Sequence, residues 1–388
     1  MLTLYGKLTF SRYILRPEGK PNLDKLVASE GIKSIAPLDY FLGIAGLPFK
    51  ITVEMMLRLA YWAQNQCSYQ AAEKTVNDID GIYVNDDTIR LVANNIGSIV
   101  FTEDCRRAEE SYSLIDSGKM PYDRTKPGVL YIEADGAALN TRQMDNNNST
   151  WRENKLGVVF SSDNMRSWTD KKGNRRHRIL RREYTSYIGN VGAFKKHLLA
   201  CALRNGYGLY KETVLLSDGA VWIRNMKDEL FPDAQHILDY FHLCENVYAF
   251  AKHIFFLDES KYRPWAEDIC MALRKSETSR ALSEIKLQAD KISVALPIDL
   301  YGYIVGNINN IDYATYEQKG YFIGSGAIES GNKIVLQRRL KQAGMRWNTK
   351  TAQYILTLVA KEASGLWHRD VSCLIHRHYD RLSGLLAS

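Results

Sequence analysis

Two apolar runs in this 388-residue chain end in the same dipeptide: YIEADG closes on Asp135-Gly136 and LLSDG on Asp218-Gly219. Asp-Gly after a strand is also an ordinary turn, so either one alone says little. Two carboxylates at the ends of neighbouring strands would repel, and one would tend to take up a proton. A divalent cation removes that conflict. An all-oxygen ligand set with room for phosphate oxygens suits Mg²⁺ or Mn²⁺ rather than zinc. Glu329 supplies a third carboxylate, near the start of a helix entered through Gly324-Ser325-Gly326. Two ions roughly 3.5–4 Å apart on Asp135, Asp218 and Glu329 would activate a water or a 3′-hydroxyl and stabilise the leaving oxygen of an in-line displacement at phosphorus.

Three further residues are candidates to support that site. Strand alternation puts Glu133 on the same face as Asp135, as a buried partner or a support. Asp239 and His242 form a D-x-x-H pair at the end of the fifth strand. No third or fourth zinc ligand accompanies them. They read either as a hydrogen-bonded pair that orients DNA or the site wall, or as a helix-capping Asp with a core His.

The elements that must position these residues follow from periodicity. Strand-like segments cover 128–134, 156–160 and 178–188, a helix 193–205, a strand 213–217, a helix 220–230 and a strand 236–240. Three strands, a helix, a strand, a helix and a strand is the order of a ribonuclease-H-like mixed α/β sheet, in which the first and fourth strands are neighbours. Their carboxyl ends then lie where strand order reverses, a usual place for a site. The catalytic core is expected over 123–242, with 123–127 as a linker. A helical insertion over 243–322, broken by Pro264 and Pro297, interrupts it. The second core part and basic C-terminal helices occupy 323–388, starting with a helix over 324–344 closed by Gly344.

Ahead of the core, residues 1–50 form a small strand-containing region, with a strand pair around Gly6 and Arg12. Residues 51–122 are helical. Two short helices, a break at Gly81, and a third helix from Thr88 capped by Asn85 or Asp86 make a helix-turn-helix-like pattern. In that reading Arg90 is a candidate DNA contact in the major groove. An ordinary helical hairpin would give the same signal.

The formal net charge is +7, and its placement matters more than its size. Seven of the fifteen residues from Trp168 to Arg182 are Lys or Arg, among them Lys171, Lys172, Arg175 and Arg176. A second group follows Glu329: Lys333, Arg338, Arg339, Lys341, Arg346 and Lys350. Clustered cations suit a phosphate backbone, although a solvated loop and a charged helix face look the same in sequence. Trp347, within the second basic group, is a candidate to stack on an unpaired base. The six cysteines are scattered with no C-x-x-C and read as reduced thiols. The sequence gives neither a signal peptide nor an apolar run of about twenty residues, so a soluble cytoplasmic protein is expected.

Two long blocks carry a resemblance. SDGAVWIRNMKDELFPDAQHILDYFHLCENVYAFAK and GSGAIESGNKIVLQRRLKQAGMRWN are similar to bacterial insertion-sequence transposases of the ISLre type, over about Tyr131 to Trp367. The resemblance implies an acid-triad (DDE) transposase with a ribonuclease-H-like core split by a helical insertion. It carries the triad over to Asp135, Asp218 and Glu329. It likens Asp239–His242 to the C/D-x-x-H signature of Mutator-like transposases. It further implies metal-dependent DNA strand cleavage and strand transfer, two Mg²⁺ or Mn²⁺ ions, double-stranded DNA as partner, a homo-oligomer on DNA, and a nucleoid-associated location in a bacterium. Members often carry a longer region ahead of Tyr5-Gly6-Lys7, which implies a shorter N-terminal part here. A decayed DNA-binding protein and a structure-specific nuclease of the same fold are the alternatives. A carbohydrate hydrolase with paired carboxylates fits the basic clusters and strand order less well.

Overall fold

The computed structural model describes residues 1–11, 13–14, 38–39, 47–146, 148–171, 175–291 and 298–387. Arg12, Lys172 and Pro297, named above, lie outside the described residues. The chain is a mixed α/β protein divided into two compact units, each assembled from separated stretches. One comprises Met1–Cys105, Asn140–Thr150 and Val335–Ser388. The other comprises Arg106–Leu139 and Trp151–Ile334.

The second unit is built on a five-stranded mixed sheet. After the short pair β1 (Leu2–Thr3) and β2 (Gly6–Lys7) come β3 (Lys126–Asn140), β4 (Trp151–Ser161), β5 (Met165–Thr169), β6 (Arg175–Ile179), β7 (Glu183–Ile188), β8 (Tyr210–Ser217) and β9 (Gln235–Leu238). The sheet order is β7-β4-β3-β8-β9, with β3, β8 and β9 parallel to one another and β4 antiparallel to β7. β3 is central and wholly buried from Leu130 to Ala134. Its even-numbered residues Leu130, Ile132 and Ala134 face a core made by the helices Val191–Arg204 and Val221–Leu230, with Phe194, Leu198, Ile223 and Met226. Its odd-numbered residues face the other way, where Tyr131 stacks on Phe160 and meets Phe322 at a tilt. That alternation aims Glu133 and Asp135 away from the main core and toward the candidate site.

Several elements differ from expectation. The segment 178–188 is two strands, β6 and β7, separated at Leu180–Arg182. β5 and β6 form a separate antiparallel ribbon. β3 does not end at Asp135 but runs on to Asn140. β9 stops at Leu238, and Asp239 caps the helix Tyr240–Ile254. Helices follow at Glu259–Arg274, Thr278–Ala289, Leu300–Gly306 and Tyr313–Gln318. Pro264 lies inside the first of these rather than breaking it. It is exposed, so water can satisfy the carbonyl its missing N–H leaves free. The helix expected over 324–344 is a continuous helical run, Gly326–Gly331, a π-helical Asn332–Gln337 and Arg338–Leu340, ending before Gly344.

In the first unit, β1 and β2 pair antiparallel, as a small strand pair. Helices Val53–Asn65 and Tyr69–Thr75 are capped by the hydroxyls of Thr52 and Ser68. Gly81 adopts φ +66°, ending the turn after the second helix. The third helix, Asp86–Asp116, is 31 residues long, and its residues up to Cys105 belong to this unit. Gly97 is a packing residue within it: a Cβ there would stand 2.8 Å from Tyr354 of the helix Thr349–Ala363. Among the described residues no helix is long and apolar enough to cross a membrane.

Candidate active site

Asp135, Asp218 and Glu329 line one small cavity of about 180 Å³, together with Asp239, His242, Glu245 and Ser325. The three come from distant parts of the chain. Asp135 sits within β3, Asp218 follows β8, and Glu329 is in the helix Gly326–Gly331 beyond the helical stretch.

Each is held by identifiable contacts. Asp135 accepts from the Gly136 N–H at 2.7 Å and from the Asn332 side-chain amide at 2.6 Å. Asp218 accepts from the Ala220 N–H at 2.9 Å. Gly219 beside it has φ +86°, and a Cβ there would come within 2.8 Å of Leu238, so this turn requires glycine. The Tyr303 hydroxyl donates to the Asp218 carbonyl at 2.6 Å, bracing the end of β8 from the helix Leu300–Gly306. The helix carrying Glu329 lies close against the sheet. A Cβ on Gly331 would meet Tyr184 of β7 at 2.6 Å and Leu156 of β4 at 3.1 Å. Glu329 is exposed.

The supporting residues take distinct roles. Glu133 is 1% exposed and accepts the Ile328 N–H at 2.7 Å. Burial pushes its carboxyl up to about 8, and the charges of Asp239 and Glu329 act in the same direction. Asp239 is spent on structure. One oxygen accepts the Phe241 and His242 N–H groups, and the other accepts the N–H and hydroxyl of Ser325. Of the two expectations for it, the capping Asp describes its contacts. The pairing with His242 is through backbone only. The His242 ring is half-exposed, not in a core, and stands 3.6 Å from Glu245.

The electrostatics are those of crowded acids. Burial raises the Asp135 carboxyl above the ordinary Asp value, and the charge of Asp218 adds to that. Of the lining residues only His242 can carry positive charge. Among the described residues no three His, Cys, Asp or Glu side chains stand closed around a cation position. The carboxylates of Asp135, Asp218 and Glu329 form an all-oxygen, self-repelling set that suits a hard divalent cation, with the His242 ring beside them in the lining.

The basic candidates separate into groups. In the β5–β6 ribbon, Arg166 opposes Arg178 and Trp168 opposes Arg176, so these four share one exposed face. The opposite face holds Ser167 hydrogen-bonded to His177, whose ring meets Phe322. Arg176 also pairs with Asp170 at 2.9 Å, and Lys171 is exposed. Arg175 is placed in β6 by its backbone. Lys333, Arg338 and Lys341 are exposed, and Arg338 donates to the Asn65 carbonyl. Arg90 pairs with Asp87 at 2.9 Å on its own helix. Arg339 is 1% exposed and so does not stand with the exposed cations of its group. Trp347 is likewise buried, its indole N–H donating to the Leu340 carbonyl.

Asn332, Ser325 and Tyr303 were not anticipated. Asn332 follows Glu329 by three, a spacing that puts both on one helical face, so its contact with Asp135 was legible in principle. Comparison with known families found no match for the chain, and comparison with curated proteins found none either.

Proposed function

We propose that this chain is a DDE transposase that cuts and joins DNA at the ends of an insertion sequence. The observation that carries the reading is the convergence of Asp135, Asp218 and Glu329 on one cavity from three distant stretches of chain. The sheet order supports it. Numbered along the five-stranded sheet alone, β7-β4-β3-β8-β9 runs 3-2-1-4-5, the order expected of a ribonuclease-H-like core, with helices inserted between the fifth strand and the helix of Glu329.

Divalent ions held by Asp135, Asp218 and Glu329 would supply an activated oxygen nucleophile and charge neutralisation at the scissile phosphate. The residues around them fix the carboxylates. Asn332 and the Gly136 N–H hold Asp135, the Ala220 N–H and Tyr303 hold the Asp218 turn, and Glu133 holds the helix of Glu329. The outward face of the β5–β6 ribbon offers Arg166, Arg176 and Arg178 to a phosphate backbone.

The test is incubation of the purified protein with its element's end DNA and Mn²⁺, resolving cleaved from joined products. Both products are expected. Cleavage without joining would favour a structure-specific nuclease, and DNA binding with neither product a decayed element.

A further inference from the structure

A second cavity, of about 620 Å³, lies within the first compact unit and has no part in the acidic site. Its lining includes Tyr69, Arg90, Asn94, Arg142, Arg339 and Arg346 and, among the described residues, no Asp or Glu. We propose that it binds a backbone phosphate of a nucleic-acid strand, anchored by the buried guanidinium of Arg339.

Arg339 is the largest fully buried side chain of the described residues. Its Nε donates to the Ala63 carbonyl at 2.8 Å and one Nη to the Cys67 carbonyl at 3.4 Å. Its plane lies against the rings of Tyr69 and Trp347, 4.6 and 5.0 Å from their centroids. The other Nη has no partner. The groups whose charge bears on this guanidinium are Tyr69 and Cys67, with no carboxylate among them. An arginine keeps its proton even when buried, so a full positive charge stands out of water with no counter-ion among the described residues. The Tyr69 hydroxyl and the Asn94 side-chain oxygen are also buried without partners in the same cavity. The hydroxyl and the free Nη are donors. Rotating the Asn94 amide, whose orientation is an assignment, adds a third.

A phosphate oxygen answers all of these deficits, and the planar fork of arginine suits it. Arg90, Arg142 and Arg346 are exposed at the cavity, and Arg338, Lys341 and Lys350 are exposed elsewhere on the same unit. Cations spread beyond one phosphate fit a strand carrying several, rather than a lone anion. The proposal does not depend on the acidic site cutting anything, and its test reads binding alone.

The experiment measures binding of a fluorescent 12-nucleotide dT strand by anisotropy across a salt series, in EDTA so that no cleavage intervenes. The variants are Arg339→Met, Arg142→Gln with Arg346→Gln, and Lys7→Gln as an exposed single-charge control outside the cavity lining and outside the basic groups. Melting temperature is read for each. Arg339→Met is expected to weaken binding about tenfold or more. Arg339→Met could instead fail to fold through loss of its two carbonyl contacts, so the double variant decides: it should lose about tenfold and lower the salt slope by about one to two units. Lys7→Gln should change affinity less than twofold. Wild-type affinity and slope in the double variant would overturn the site. Competition by inorganic phosphate or dTMP at the concentration at which the unlabelled strand competes would overturn the strand as its ligand.

Discussion

The buried carboxylate of Glu133 accepts the backbone N–H of Ile328 at 2.7 Å. One strand thereby carries Asp135 and, two residues earlier on the same face, the group that docks the helix bearing Glu329. The position of the third acid relative to the first is set by this bond and by the close approach of Gly331 to Tyr184 and Leu156. Glu133→Gln keeps an acceptor of the same shape and should change stability by less than about 1 kcal/mol. Glu133→Ala leaves a buried N–H unpaired and opens a void, costing about 2–4 kcal/mol. Urea titration of both variants checks this. Equal stability of Ala and Gln would remove Glu133 from the role of docking residue.

Asp239 is expected to be worth more to folding than to chemistry. Its two oxygens satisfy four donors at a helix start and at Ser325. Asp239→Ala should cost about 2–4 kcal/mol through the lost cap and the buried groups left unpaired. A denaturation midpoint equal to wild type would contradict that assignment.

His236 should make the second unit sensitive to mild acid. Its ring is buried, shares a 2.8 Å hydrogen bond with Ser217, and has its pKa pushed down to about 4, first by burial and then by the charges of Lys227 and Arg224. The unfolded chain takes up this proton below about pH 6.5, whereas the folded chain resists it. The contribution is therefore full above pH 6.5 and is lost as pH falls from 6.5 toward 4, by an amount on the order of 3 kcal/mol at most. His236→Gln should flatten that part of the stability profile between pH 7.5 and 4.5. An identical slope in both proteins would count against a neutral buried His236.

Much of the sheet is readable from composition because its buried strands are short apolar runs, VLYI in β3 and VLLS in β8. What escapes is decided by partners distant in sequence. Beyond Asp135 the run GAALN has no β-branched residue, yet β3 continues through it. Past the strand end, Thr141 bridges Trp347 and the Trp347 N–H donates to the Asn140 carbonyl. Gly97, inside the third helix, carries no local signal that it is a packing contact for Tyr354. Arg339 looks like a surface cation because charge is visible in sequence, while the carbonyls of Ala63 and Cys67 that receive it are not. In the acidic site, the residue types and Asp-Gly spacing named the three carboxylates. The hydroxyls and amides that hold them lie on elements whose meeting no local pattern announces.

If the acidic cavity takes divalent ions, they should stabilise the folded protein. Saturating Mn²⁺ is expected to raise the melting temperature by about 5 °C, the scale of a few kcal/mol for a domain of this size. Asp135→Asn with Asp218→Asn should abolish that rise and, in EDTA, melt at or above the wild-type temperature, because two mutually repelling charges are gone. An undiminished Mn²⁺ effect in the double variant would place the ion elsewhere.

The most direct measurement concerns Glu329→Gln, which keeps length, shape and helix propensity and removes only the charge. Cleavage rate in Mg²⁺ and in Mn²⁺ is measured beside DNA affinity and melting temperature for wild type and variant. Under the proposed function, cleavage and joining both fall by at least about a thousandfold, ΔΔG‡ of roughly 4 kcal/mol, since both steps use the same ions. DNA affinity stays equal or tightens slightly, and melting temperature barely moves because Glu329 is exposed. A Glu329 that merely favours the positive end of its helix would cost about 0.3–1 kcal/mol of stability and leave the chemistry intact. A variant that cuts at the wild-type rate would contradict the acid-triad account at its third residue.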